Sequence, residues 1–284
     1  MIKNIMFFCS IFIFLFSGCS HKTEKEETSN KINVFVTVVP QIGIVKQIAG
    51  DLVNVRALVS TGTCPETFSP SPRQIEDLSK ANVFLDLGLP FEDVWLKKIH
   101  GAKNDIKVIP MSTGINLRNI DDETSNGDKD PHLWFSLKNA LIMAQNTTKI
   151  LSELMPQHTE LFSKNLKIYE TKIKVIDIKT KNKYAKLKDK NIYVFHPVFG
   201  YIADDYGLKQ IPIEIEGKEP SAKQLANLIS NFKKQKVSTI FIEPEFSSKI
   251  PNTIAKELNA ELVSVSIYNE DILTAVEEFV DKWK

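Results

Sequence analysis
Short β-branched runs alternate with helical patterns in two separate stretches of this chain, and a long interval between the stretches has no strand pattern. The first stretch predicts strands at Ile32–Val38, Val53–Val59, Val83–Leu87 and Ile106–Ile109, with helices at Gln41–Ala49, Pro72–Lys80 and Phe91–Ile99. The second predicts strands at Ile192–Phe195, Gln210–Ile213, Thr239–Ile242 and Glu261–Val265, with helices at Phe199–Tyr206, Ser221–Lys234, Lys249–Leu258 and Asp271–Trp283. Alternation of this kind predicts βα units, a mostly parallel sheet in each stretch, and so two α/β lobes. Pro72 suits a first helical turn, with Ser71 as its N-cap.

The interval itself reads as helix, first over Ser136–Leu154 and then over Gln157–Lys188, with Pro156 near the second start. Its glycine-free second part predicts a rigid strut between the lobes, because a hinge needs a short loop or glycine. The expected organisation is therefore a segment 1–18, a polar segment 19–31, an N-terminal lobe 32–155, a linking helix 156–188 and a C-terminal lobe 189–284.

The first segment carries one charge, Lys3, and an apolar run Ile5–Phe16 that is too short to span a bilayer as a helix. Charged start, apolar centre and small residues at the exit predict a secretory signal. Leu15-Phe16-Ser17-Gly18-Cys19 is similar to a bacterial lipobox. That resemblance implies cleavage before Cys19, lipid on its thiol, and a solvated tether from His21 to Lys31 that holds the domain to a membrane outside the cytoplasm. Cys9 would be removed and Cys19 modified, so Cys64 remains alone and no intrachain disulfide forms. A formal net charge of +1 gives no basic surplus for nucleic acid.

Among the five histidines, His21, His100 and His158 sit in polar or lysine-rich surroundings and read as surface residues. His132 and His196 stand apart. His196 directly follows a predicted strand, and His132 lies beyond another across a loop. Glu66 follows the strand Val53–Val59. Open α/β sheets bind ligands outside the carboxyl ends of their strands, and two imidazoles with a carboxylate suit zinc or manganese.

Several blocks strengthen this. Pro65-Glu66-Thr67-Phe68-Ser69-Pro70-Ser71-Pro72, Asp130-Pro131-His132-Leu133-Trp134-Phe135-Ser136 and His196-Pro197-Val198-Phe199-Gly200-Tyr201 occur in order, followed by Glu219-Pro220-Ser221-Ala222 and Ile242-Glu243-Pro244-Glu245-Phe246-Ser247-Ser248-Lys249. Together they resemble the cluster A-I solute-binding proteins, the receptors of zinc and manganese ABC transporters. The resemblance runs from about Ile32 to the C-terminus. It implies two Rossmann-like lobes joined by one backbone helix, and Zn2+ (alternatively Mn2+) held in the cleft as cargo. It also implies delivery by a monomer to a permease with its ATPase subunit.

Three departures from the family pattern stand out. Glu66 occupies the usual first-histidine position. Ser266 falls where the last ligand is usually aspartate, so water, Glu243 or Glu245 would supply the fourth donor. The loop Asp121–Asp130 replaces a His-rich tract and reads as solvated and acidic. Cys64, two residues before Glu66, reads as a buried, unreactive thiol. The competing readings are a metal-dependent surface adhesin and a metallohydrolase with Glu243 or Glu245 as general base.

Overall fold
The structure is a computed structural model that describes residues 31–65, 67–100, 106–120, 128–187, 189–214, 220–247 and 249–283, with backbone only at 98–100. The segment 1–18 read as a secretory signal, Cys19 and His21 lie outside the described residues. Two parallel four-stranded sheets carry the fold. The first comprises β1 (Ile32–Val38), β2 (Val53–Val59), β3 (Val83–Asp86) and β4 (Lys107–Pro110), in the order β2-β1-β3-β4. The second comprises β5 (Asn191–Val194), β6 (Lys209–Pro212), β7 (Thr239–Ile242) and β8 (Glu261–Ser264), in the matching order β6-β5-β7-β8. In each lobe the chain starts at an inner strand, steps outward, then returns across it. This creates a switch point between β1 and β3, and another between β5 and β7.

The helices are α1 (Val39–Ala49), α2 (Pro72–Ser79), α3 (Pro90–His100), α4 (Leu137–Leu154), α5 (Thr159–Tyr184), α6 (Gly200–Asp205), α7 (Ala222–Gln235), α8 (Lys249–Leu258) and α9 (Ile272–Lys282). Most bounds fall within two residues of the sequence expectation. Ser71 caps α2 as expected, its side chain accepting from the Gln74 backbone N–H. Helix α1 begins earlier than its pattern because Pro40 fits the first turn.

Helix α5 buries one face through Phe162, Tyr169, Ile173, Ile176, Thr180 and Tyr184, which recur at helical spacing. It packs against α1, α4 and α9. The lobes do not meet through this strut alone. Helix α9, from the end of the chain, also packs on α1 and α4, and one apolar core runs through both lobes. Gly43 on α1 lies so close to Glu270 that an added Cβ would stand 1.9 Å from the Glu270 carbonyl oxygen. A separate small core of Tyr193, Phe195, Ile213, Phe232, Ile240 and Ile254 belongs to the C-terminal lobe alone.

The switch point of the N-terminal lobe is closed by its own polar side chains. Gln41 Oε1 accepts from the Thr37 and Val38 N–H groups, both at 2.9 Å, and its Nε2 donates to the Leu85 carbonyl at 3.0 Å. Glu92 accepts from Leu87 and Leu89 N–H and pairs with the Thr37 hydroxyl. Burial, and then the neighbouring Asp86, push the Glu92 carboxyl up to about 7 despite these donors. Burial likewise raises Asp86 to about 6.

An acid whose folded pKa exceeds its unfolded value loses stabilising free energy as pH rises between the two, here from 4.5 to about 7 for Glu92. Glu92→Gln copies the neutral form. The variant should match the parent near pH 4.5 and become the more stable by about 3 kcal/mol above pH 8. Denaturant unfolding at both pH values checks this; equal pH dependence in the two proteins contradicts it.

Candidate metal centre
The two singled-out histidines meet across the lobes. Their ring centroids are 5.4 Å apart and nearly perpendicular, at 87°. His132 comes from the segment entering α4, whose start is fixed by Ser136 accepting from the Asn139 N–H and by Asn139 donating to the Leu133 carbonyl. The Ser136 hydroxyl also donates to Asp205 of the opposite lobe at 2.5 Å. His196 lies two residues past the end of β5, at the switch point of the C-terminal lobe.

Each imidazole is oriented by a carboxylate. Asp130 Oδ1 accepts from the His132 backbone N–H and faces its Nδ1, both at 2.9 Å. Asp130 Oδ2 takes Arg118 Nη1 at 2.8 Å, and Arg118 Nε reaches across to Asp204 at 2.9 Å. Burial alone would raise the Asp130 pKa, but His132 and Arg118 together hold it below the ordinary carboxylate value. An ionised Asp130 can only accept, so the His132 proton belongs on Nδ1 and the lone pair on Nε2. Glu214, just past β6, lies with Oε2 2.6 Å from His196 Nδ1 and imposes the same tautomer there. Carboxylate partners on Nδ1 are the usual support for histidines that bind metal through the other nitrogen.

Gly200 matters to this arrangement. A Cβ there would stand 2.0 Å from Arg118 Nη1, so only glycine lets α6 approach the Arg118–Asp130 pair. Tyr201 donates its hydroxyl to the Asp130 carbonyl at 2.7 Å.

At the end of β7, Glu243 is 3% exposed and Glu245 is half-buried, and each leaves one buried carboxylate oxygen without a hydrogen bond. Burial pushes Glu243 up to about 8, against the opposing effect of His196. The Ser266 hydroxyl donates to Glu245 Oε1 and accepts from the Tyr268 N–H at 3.2 Å. Among the described residues, which do not include Glu66, no group of three or more His, Cys, Asp or Glu side chains is placed to hold a metal ion.

A family model described as zinc-uptake complex component A, periplasmic (ZnuA) matches residues 34–281. The chain belongs to the ZnuA family. The metal ABC transporter substrate-binding lipoprotein ScbA of Streptococcus cristatus is 29% identical to it, over 94% of this chain and 89% of the relative. The zinc-binding lipoprotein AdcA of Streptococcus pneumoniae is 31% identical over 88% of this chain, which spans 51% of that longer protein. A crystal structure of ZnuA superposes with a TM-score of 0.83 at 32% identity, covering 89% of this chain and 98% of the other.

Measured against the ZnuA family pattern, His132 and His196 come together as expected. Glu66 lies outside the described residues, yet both flanks of its loop are fixed. Pro65 is buried, the Phe68 carbonyl accepts from Trp95 Nε1 at 3.0 Å, and the Phe68 and Trp95 rings meet edge to face at 5.2 Å. Two expectations need correction. Cys64 is half-buried rather than buried, because it follows the exposed turn residues 60–62. Asp130, the last member of the loop read as solvated, is 2% exposed because it carries the His132–Arg118 pairing. The rest of that loop, 121–127, is outside the described residues. Sequence reasoning missed Asp130, Glu214 and Arg118 as positioning groups. The Asp-Pro-His spacing was a signal for the first; nothing local marked the other two.

At pH above 7, 15N-detected histidine spectra of the wild type should show the Nδ1–H tautomer for both His132 and His196. Asp130→Asn should mix the His132 tautomers and leave His196 unaltered. Unchanged His132 signals in that variant would refute the orienting role.

Proposed function
We propose that this chain is the extracytoplasmic receptor of a metal ABC transporter. It captures one zinc or manganese ion between its lobes and delivers it to a permease driven by an ATPase subunit. The observation that carries the reading is the pair of perpendicular imidazoles from opposite lobes, each oriented by a carboxylate. His132 and His196 supply two Nε2 donors, and Glu66 a carboxylate from the β2–α2 loop. Two nitrogens with oxygen suit zinc, and each added oxygen shifts preference toward manganese. The named relatives span this range, with zinc in AdcA and manganese in ScaA of Streptococcus gordonii.

Relatives named as lipoproteins support anchoring through Cys19. In this reading the chain works as a monomer beside its permease. The site binds cargo and performs no turnover. The shared core and the glycine-free α5 oppose a wide clamshell movement, so capture and release involve the loops bearing the ligands.

Four measurements test this. His132→Ala and His196→Ala should each weaken zinc binding strongly in competition with a chelating dye and abolish growth under metal limitation. Full affinity in both variants sinks the site. Zinc at ~100-fold over its dissociation constant should stabilise the protein by about 2.7 kcal/mol. The X-ray scattering radius should stay constant, and a contraction of several ångströms would contradict the rigid frame. Mass spectrometry of membrane-extracted protein should find lipid on an N-terminal Cys19; an unlipidated chain retaining Met1 would rule out the anchor.

A further inference from the structure
Resting on the lipoprotein reading, we infer that the outward face of α5 docks on an anionic phospholipid surface and holds the receptor with its metal cleft turned away from the bilayer. Helix α5 buries one side in the core, yet its other side is not uniformly polar. Leu161, Ile168 and Val175 recur every seven residues, with Ile178 three further on, and each is between 43% and 63% exposed. At 3.6 residues per turn they form one stripe about 25 Å long. The only other large hydrophobic side chain so exposed among the described residues is Val94 on α3.

The stripe is set in lysine. Lys164, Lys167 and Lys174 are exposed beside it and enter no ion pair among the described residues. On its flanks, Lys179 pairs with Glu277 and Asp281, and Lys181 with Asp177. Glu170 and Asp177 are half-buried, which leaves Glu160 as the one exposed acid of α5. A second copy of the chain is a poor occupant. Two such helices paired along the stripe would set Lys167, Lys174 and Lys181 against Lys172 and Lys179, or each row against itself, and like charges there repel. An anionic bilayer matches both features. Apolar side chains enter its headgroup region, and lysines beside them gain from its negative potential.

The placement of α5 gives the orientation. Near its start, Asn165 donates to the Ile48 carbonyl at 2.8 Å. Helix α1 runs back from the carboxyl end of β1, so Ile48 lies level with the amino ends of β1 and β2, which pair at Ile32 and Val53. At the other end, Tyr184 meets Trp283, the cap of α9, with ring centroids 5.0 Å apart, and its carbonyl accepts from Lys190 just before β5. Both ends of α5 therefore sit on the amino-end side of the sheets. His196 lies past the carboxyl end of β5, with His132 against it. The first strand also begins on the amino-end side, at Ile32. Twelve residues, 20–31, separate it from Cys19, a reach of at most about 43 Å. An anchor joined there keeps this side of the domain near the bilayer and leaves the cleft open to solvent, where metal is captured. The tether permits the turn that delivery requires.

The test is a lysine footprint. Lipidated protein extracted from membranes is added to preformed vesicles of phosphatidylcholine, alone or with a third of phosphatidylglycerol, and treated with a water-soluble acetylating reagent. Mass spectrometry reads each lysine, with the exposed Lys223 and Lys234 of α7 as internal reference. Lys164, Lys167 and Lys174 should react at least about 5-fold more slowly on the anionic vesicles, the gain that one lysine near such a surface supplies. The protection should vanish near 1 M salt, where the Debye length is about 3 Å. Ile168→Glu with Val175→Glu should abolish it while leaving zinc affinity and thermal unfolding unaltered, since both side chains are exposed on the far side from the cleft. Equal labelling on the two vesicle types overturns the inference. Protection in detergent that grows with protein concentration assigns the face to a second copy, and protection in native membranes but not on protein-free vesicles assigns it to a protein partner; either overturns it. The same spectra report lipid on Cys19. A chain without lipid fails the anchoring reading instead, and its sedimentation with anionic but not neutral vesicles still reads the α5 face.

Discussion

Beneath the cleft, Phe199 stacks on Phe279 with centroids 4.8 Å apart and planes within 9°, and Phe135 meets both rings edge to face. These three side chains come from the entry to α4, the entry to α6 and the terminal helix α9. They are fully buried, and contacts of this geometry each add roughly 0.5–1.5 kcal/mol beyond simple burial. His132 and His196 each precede one of these rings by three residues, Phe135 and Phe199. The spacing between the two imidazoles is therefore inherited from the packing of the core below. A site built this way keeps its nitrogens in place without a flexible hinge.

The two lobes share a winding but not a use of it. In the C-terminal lobe the switch point is polar, with His196 after β5 and Glu243 and Glu245 after β7. In the N-terminal lobe the equivalent position is occupied by Gln41, Asp86 and Glu92, and His132 is carried instead by the segment between β4 and α4. The charges follow the same division. Arg118 is committed to Asp130 and Asp204, which binds the His132 segment to the opposite lobe. On the C-terminal wall the carboxylates outnumber the donors. A cleft with oriented imidazoles and surplus carboxylate is matched to a divalent cation, and the family membership of the chain agrees with that chemistry.

Much of the fold could be read from local pattern because strand and helix periods differ and the punctuation was clear. Pro72 behind Ser71 marked α2, and the β-branched runs marked the strands within a residue or two. The two histidines were found because both lay just past strand-forming runs, where α/β sheets bind ligands. Asp130 was misjudged because nine preceding residues, mostly polar, disguised it as the end of a solvated loop. Glu214 carried no signal at all: its partner His196 is eighteen positions away, and only the parallel pairing of β5 with β6 unites them.

By itself the sequence determined the two βα series, the glycine-free helix between them and the two histidines just past strand-forming runs. These depend on interactions between residues a few positions apart, which the linear pattern records. Tertiary structure decided which groups face one another: that Asp130 and Glu214 fix the two tautomers, that Gly43 and Gly200 permit close approach between lobes, and that Ser266 serves Glu245. Those pairings join residues far apart in the chain, and their geometry is set by the packing of both sheets on one core, so no local pattern encodes them.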